Sequence, residues 1–96
     1  MLHREFQDGI LVRLLNADKN DEFIRGYWTH DFSETLKMYQ LAFEKNIDIC
    51  ILAEDDDNDN DEYNDTFATI IDIEVCFGGE TRLTSINIYV AVRDYK

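Results

Sequence analysis

The sequence predicts an α+β fold, a two-layer sandwich in which a mostly antiparallel sheet of four to five strands carries one helix on one face. Segments with an apolar residue at every second position lie on both sides of a single segment with helical spacing, which gives the order ββαβββ. At 96 residues the chain has room for one core, so a single domain spanning 1–96 is expected.

The first two strands are predicted to form a hairpin. Residues 9–16 alternate between an apolar face and a mixed one, and the polar run 16–21 predicts a turn. Residues 23–28 predict a weaker second strand, because Gly26 interrupts an alternation of aromatic and polar side chains.

A single helix is predicted over residues 32–45. Asp31 can cap its start, with Glu34 three residues later, and Asn46 suits a left-handed exit from its end. The predicted core face consists of Phe32, Leu36, Tyr39, Ala42 and Phe43.

Three further strands are predicted at 47–52, 67–77 and 83–93. In the long fourth strand the odd positions are expected to face inward, which places Asp72 and Glu74 on the solvent side. The predicted register of the last two strands sets Val75 opposite Ile86, Ile73 opposite Ile88, and Ile71 opposite Val90.

The net charge of −12 comes from one third of the chain. Residues 46–81 hold twelve acids and no base, whereas residues 1–45 and 82–96 are nearly balanced or slightly basic. Eight acids lie within the twelve residues 54–65, a segment expected to form a loop between the third and fourth strands: Glu54, Asp55, Asp56, Asp57, Asp59, Asp61, Glu62 and Asp65. Acidity that served solubility alone would be spread over the whole chain.

A calcium loop is the first interpretation of this run, because Asp55, Asp57, Asp59 and Asp61 alternate. The required glycine and bidentate glutamate are missing, since Asn60 and Thr66 stand at those positions when Asp55 is the first ligand. No metal and no cofactor are therefore expected, although a binding module for Ca²⁺ or a small ligand stays as an alternative.

Two other interpretations stay open, a solvated loop without a role and a surface that a cationic partner neutralises. Unit charges ~7 Å apart repel by ~0.6 kcal/mol even at the dielectric constant of water, so such crowding is unfavourable without a partner. In size and charge the chain resembles nucleic-acid-mimicking inhibitors as a group; no motif carries that likeness, so it assigns no residue a role.

The favoured hypothesis is a non-enzymatic inhibitor that occupies the basic nucleic-acid-binding cleft of a nuclease or another nucleic-acid-processing protein. Phage anti-defence, such as anti-CRISPR or anti-restriction activity, and toxin immunity are its two settings. The candidate partner-binding residues are the eight acids of 54–65 together with Tyr63, an aromatic expected to be exposed among them, and Asp72 and Glu74 from the adjoining strand.

Other classes of function are disfavoured. His3, His30, Cys50 and Cys76 show no spacing typical of a metal or catalytic site, and the cysteines are interpreted as partly buried. The negative charge opposes direct binding to nucleic acid. A cytoplasmic protein without a membrane span is expected, homo-oligomers through edge strands stay open, and a regulatory protein with an incidental acidic loop is a further alternative.

Overall fold

The computed structural model describes residues 9–51, 63, 65–77 and 84–93. They form five strands and one helix in the predicted order. The elements are β1 (Ile10–Asn16), β2 (Glu22–Thr29), α1 (Phe32–Glu44), β3 (Ile49–Ile51), β4 (Thr66–Cys76) and β5 (Ser85–Arg93). A short 3₁₀ turn, Ala17–Lys19, joins β1 to β2.

The five strands form one sheet in the order β2-β1-β5-β4-β3. Three neighbouring pairs are antiparallel, but β1 and β5 run parallel, so the sheet is mixed. It is also curled into a half-barrel, so the predicted two-layer sandwich with a mostly antiparallel sheet is correct only in part. The small α+β domain with one helix is as predicted, and the last strand of the chain lies at the centre of the sheet.

The helix begins and ends where its capping residues predict. Asp31 Oδ1 accepts a hydrogen bond from the backbone N–H of Glu34 at 3.1 Å. At the other end Asn46 has φ 54°, and the N–H of Ile47 donates to the carbonyl of Ala42 at 2.9 Å. This closing bond holds Ile47 beside the helix, which explains why β3 begins later than predicted.

The core lies between α1 and the inward face of the sheet. Among the described residues, no helix has the length and apolar character needed to span a membrane. Tyr39 is buried, whereas Phe43, predicted to belong to the core, is 38% exposed. The buried hydrophobic side chains are Ile10, Val12, Leu14, Ile24, Tyr39, Ile51, Tyr63, Ala68, Ile70, Ile86, Ile88 and Val90.

A β-bulge in β4 reverses the predicted inward face of its first half. The pairs Val75 with Ile86 and Ile73 with Ile88 are as predicted, but Val90 lies opposite Ile70 and not Ile71. The register shift between Ile70 and Asp72 leaves Ile71 47% exposed, while Ala68 and Ile70 are buried. The prediction that Phe67, Thr69 and Ile71 face inward is therefore wrong.

A second bulge lies in the edge strand β2. Leu14 lies opposite Arg25 and Leu15 lies opposite Phe23, so Ile24 is the extra residue. Because paired residues share a face, Arg25 lies on the inward side with Leu14, and both Ile24 and Arg25 are buried. Without the bulge, Arg25 would lie on the same face as Phe23.

Candidate interaction surface

The acidic run connects β3 to β4, as predicted. These strands pair antiparallel, with Ile51 opposite Thr66, and the N–H of Asp65 donates to the carbonyl of Ile51 at 2.7 Å. Both ends of the connection are thus held at one point of the sheet. The predicted contact residues Glu54, Asp55, Asp56, Asp57, Asp59, Asp61 and Glu62 lie outside the described residues.

Tyr63 anchors the end of this acidic segment in the core. Its side chain is 4% exposed, so the expectation of an exposed aromatic is wrong. The hydroxyl donates to Glu22 and accepts from the side-chain amide of Asn16 at 3.0 Å. Burial and the hydrogen bond to Glu22 raise the pKa of Tyr63, against smaller effects of Asn16 and Lys19. A side chain so enclosed offers a partner little contact area.

The turn that receives Tyr63 is itself acidic. Asn16 Oδ1 accepts from the N–H of Asp18 at 3.0 Å and starts the 3₁₀ turn. Asn20 and Asp21 then take left-handed φ angles of 53° and 58°, which Asn and Asp tolerate better than most residues. The chain therefore reverses within a few residues, and Asp21 and Glu22 stand at the start of β2, where Glu22 meets Tyr63.

A ladder of polar side chains crosses the outward face of β1, β5 and β4. Arg13 Nε donates to Asn87 Oδ1 at 2.9 Å, and Asn87 Nδ2 donates to Glu74 Oε1 at 3.0 Å. The Tyr89 hydroxyl donates to the same Glu74 oxygen at 2.8 Å. Asn87 is only 4% exposed, although it lies on the face that was predicted to be the solvent side of β4. Glu74 remains exposed, as predicted.

The ladder also fixes the charge of Glu74. Hydrogen bonds from Asn87 and then Tyr89 lower the pKa of Glu74, so this carboxylate is ionised at neutral pH. The hydrogen bond between the Tyr89 hydroxyl and Glu74 raises the pKa of Tyr89 to about 12, with smaller contributions from burial and from the charges of Glu74 and Asp21.

Glu22 thus adds an acid from the β1–β2 turn to the end of the acidic run. Glu22 accepts a hydrogen bond from Tyr63 at the end of the acidic run, and its neighbour Asp21 is exposed. Sequence reasoning missed both residues. The only signal was an acidic pair in a polar turn, and the contact with Tyr63 joins residues 41 positions apart in the chain.

The other described acids contribute unequally to this surface. Asp72 is exposed as predicted and lies opposite Tyr89; its own side chain accepts from the N–H of Ile73 at 2.9 Å. The Asp48 carboxylate accepts a hydrogen bond from the Thr69 hydroxyl at 2.7 Å, and its Oδ2 lies 3.4 Å from Arg93 Nε. Part of the negative charge of Asp48 is therefore compensated. Asp48 therefore adds less negative potential than its position next to β3 suggests.

Histidine, cysteine and acidic side chains are the other candidates for a chemical site. Within that part of the chain, no group of three or more His, Cys, Asp or Glu side chains is arranged to hold a metal ion. Both cysteines are free thiols; Cys76 is partly buried as predicted, whereas Cys50 is exposed. Cys76 accepts a hydrogen bond from Asn87 at 3.7 Å and belongs to the polar ladder.

Comparisons with known proteins assign no role to these residues. The chain matches no protein-family model, no curated protein and no solved structure. The residue roles therefore rest on the geometry and charge described above.

Proposed function

We propose that this chain is a non-enzymatic inhibitor that occupies the basic, nucleic-acid-binding cleft of a nuclease or another nucleic-acid-processing protein. Carboxylates placed at intervals can bind the lysines and arginines that otherwise bind phosphates. Phage anti-defence and toxin immunity are the two settings in which such an inhibitor acts.

The observation that carries the proposal is the contact between Tyr63 and Glu22. The hydrogen bond from Tyr63 holds the end of the acidic run beside Glu22, whose neighbour Asp21 is exposed. Two separate segments therefore contribute acids to one region of the surface, and Asp72 and Glu74 are further exposed carboxylates on β4. An incidental solvated loop has no need of a buried tyrosine that holds its end beside other carboxylates.

Charge density supports the same interpretation. Eight acids over twelve extended residues give one charge per ~5 Å, compared with ~3.4 Å per phosphate along one strand of DNA. The run alone is less densely charged than DNA. Asp21, Glu22, Asp72 and Glu74 raise the number of carboxylates available to a cationic groove.

The first experiment measures whether nucleic acid competes for the partner. The protein is immobilised, exposed to a nuclease-treated bacterial extract, and eluted with short duplex DNA or with an uncharged polymer. We expect DNA, and also high salt, to release the bound proteins selectively, because phosphates and carboxylates compete for the same cations. Retention that is indifferent to DNA and to salt would contradict the proposal.

Matched variants then locate the surface. Asp21→Asn combined with Glu74→Gln removes two charges from the proposed surface, and Asp56→Asn combined with Asp57→Asn removes two from the run. Glu34→Gln combined with Glu44→Gln removes two exposed charges from α1 and serves as the control. We expect both surface variants to bind the captured proteins more weakly than the helix control. Equal binding by all three would show that only net charge matters.

A further inference from the structure

The outward face of β2 and β1, opposite the core, carries two exposed aromatic rings. Trp28 lies opposite Leu11, and Phe23 lies opposite Leu15. The exposed fractions are 55% for Trp28 and 40% for Phe23, and the two leucines are partly buried. The residues of β1 that alternate with these leucines are buried, so the four side chains form an apolar outer patch on the side of the sheet away from α1.

The bulge in β2 places Phe23 in the outer patch. Arg25 lies opposite Leu14 on the inward side, so regular pairing would set Ile24 opposite Leu15 and turn Phe23 inward. With Ile24 as the extra residue, Phe23 pairs with Leu15 instead and is open to solvent. Bulges commonly redirect a side chain next to a functional site. Turning an apolar ring towards solvent forgoes its burial in the core, which favours a role for this ring in contact with a partner.

Gly26 leaves room for the Phe23 ring within the outer patch. The glycine lies opposite Arg13, between Trp28 and Phe23 on the outward face of β2. A Cβ at Gly26 would lie 3.2 Å from two carbons of the Phe23 ring, so this ring lies over the glycine and extends towards Trp28. The two rings therefore share one stretch of β2 with no β2 side chain between them on that face.

Carboxylates continue the same face beyond the outer patch. The row that begins with Phe23 and Leu15 continues with Tyr89 on β5 and ends with Asp72 on β4. Glu74 follows two positions later in β4, and both acids are exposed. Neighbouring strands lie ~4.8 Å apart, so Phe23 and Asp72 are separated by roughly 14 Å along the sheet. At ~3.4 Å per phosphate, a few nucleotides of one strand span this distance.

Rings beside carboxylates match one kind of nucleic-acid-binding groove. Grooves for single strands combine cations that follow the phosphates with aromatic side chains on which the bases stack. The bases of a duplex are stacked on each other, so proteins that bind a duplex contact mainly phosphates, sugars and base edges. Carboxylates alone would suffice for a duplex groove, whereas exposed rings add what a single-strand groove recognises. The net charge of −12 opposes a nucleic acid or an anionic membrane as the partner itself.

We propose that the outward face binds the groove of a protein that holds single-stranded nucleic acid, with Trp28 and Phe23 in the place of bases and Asp72 and Glu74 in the place of phosphates. This inference rests on the proposed function and narrows its partner to one class of protein. Trp28 is the more exposed of the two rings and is expected to contribute most of the stacking.

Elution with three nucleic acids tests the partner class. The immobilised full chain is exposed to a nuclease-treated bacterial extract and eluted with oligothymidylate, with an abasic oligonucleotide of the same length, or with a duplex, over the same range of phosphate concentration. We expect oligothymidylate to release the bound proteins at about tenfold lower concentration than the other two, because only its bases compete for stacking side chains. Equal release by the abasic strand or by the duplex would overturn this inference and leave the proposed function intact. No release by any of the three would contradict both.

Single substitutions test the ring itself. Trp28→Ala should weaken retention of the proteins that oligothymidylate elutes by about tenfold, whereas Trp28→Tyr keeps a ring that can stack and should preserve most of the retention. Leu41→Ala removes a side chain of similar exposure, 52%, from α1 and is the control. Unchanged retention by a folded Trp28→Ala variant, or equal weakening by Leu41→Ala, would overturn the role of Trp28. Thermal unfolding checks the fold of each variant, and the elution profile of the wild type decides the partner class without them.

Discussion

The hydroxyl of Tyr63 donates a hydrogen bond to Glu22, a residue 41 positions earlier in the chain. The same hydroxyl accepts from Asn16. Tyr63 therefore ties the end of the most acidic segment to the turn between β1 and β2. This contact makes the acidic run part of a surface that other strands share, and it explains why a tyrosine occurs within the run.

Removal of the Tyr63 hydroxyl tests this anchor. Tyr63→Phe leaves the buried amide of Asn16 without its acceptor, and we expect the free energy of unfolding to fall by about 1–3 kcal/mol. Urea denaturation measures the loss. Tyr89→Phe, which removes a more exposed hydroxyl, is the control and should cost less. A Tyr63→Phe variant as stable as wild type would show that the anchor contributes nothing.

The ladder predicts a pH dependence of stability centred on Glu74. Folding lowers the pKa of Glu74 below its ordinary value of 4.5, chiefly through the hydrogen bond from Asn87. The stabilisation is complete above 4.5 and is lost as pH falls through the folded pKa. We expect wild type to melt above Glu74→Gln at neutral pH, with the difference shrinking in acid. Glu44→Gln controls for loss of one charge; a constant difference would contradict the assignment.

Gly9 is required by backbone geometry. Its φ is +84°, and an added Cβ would lie 3.0 Å from the carbonyl oxygen of Thr29. We expect Gly9→Ala to lower the free energy of unfolding by about 1–2 kcal/mol, because neither the backbone angle nor the carbonyl can adjust freely. Gly26→Ala is the matched control, since its Cβ would meet the movable ring of Phe23 at 3.2 Å and the carbonyl oxygen of Val12 at 3.4 Å, an ordinary van der Waals distance. Equal losses in chemical denaturation would refute this distinction.

The start of α1 depends on one side-chain contact. Asp31→Ala removes the acceptor for the N–H of Glu34, and we expect a loss of about 1 kcal/mol in the free energy of unfolding. Asp31→Ser keeps an oxygen that can cap the helix and should recover most of this loss. Thermal or urea unfolding of the two variants provides the measurement, and identical values would exclude a capping role.

Local patterns predicted the elements of the fold because each depends on a few neighbouring residues. Asp31 and Asn46 mark the ends of the helix, and alternation found all five strands. The two bulges were not predictable in this way. An extra residue such as Ile24 or Ile71 reverses which side chains face inward, and it becomes visible only in the pairing with a distant strand. Strict alternation therefore assigned Ile71 and Phe67 to the wrong face.

The candidate surface was predicted in part for the same reason. Asp72 and Glu74 are exposed as their alternation indicated, whereas Tyr63 is buried and Asp21 and Glu22 were overlooked. A polar neighbourhood marks a residue as a candidate for the surface. Whether its side chain finds a cavity and two hydrogen-bond partners depends on strands far away in the chain.

The sequence by itself determined the class of fold, the limits of the helix and the concentration of negative charge in one segment, because composition and short-range periodicity set these properties. Only the tertiary structure decided that β1 and β5 lie side by side, that Tyr63 reaches Glu22, and that Phe23 lies on the outward face. These relationships depend on register and on the curl of the sheet, which arise from packing between residues distant in the chain.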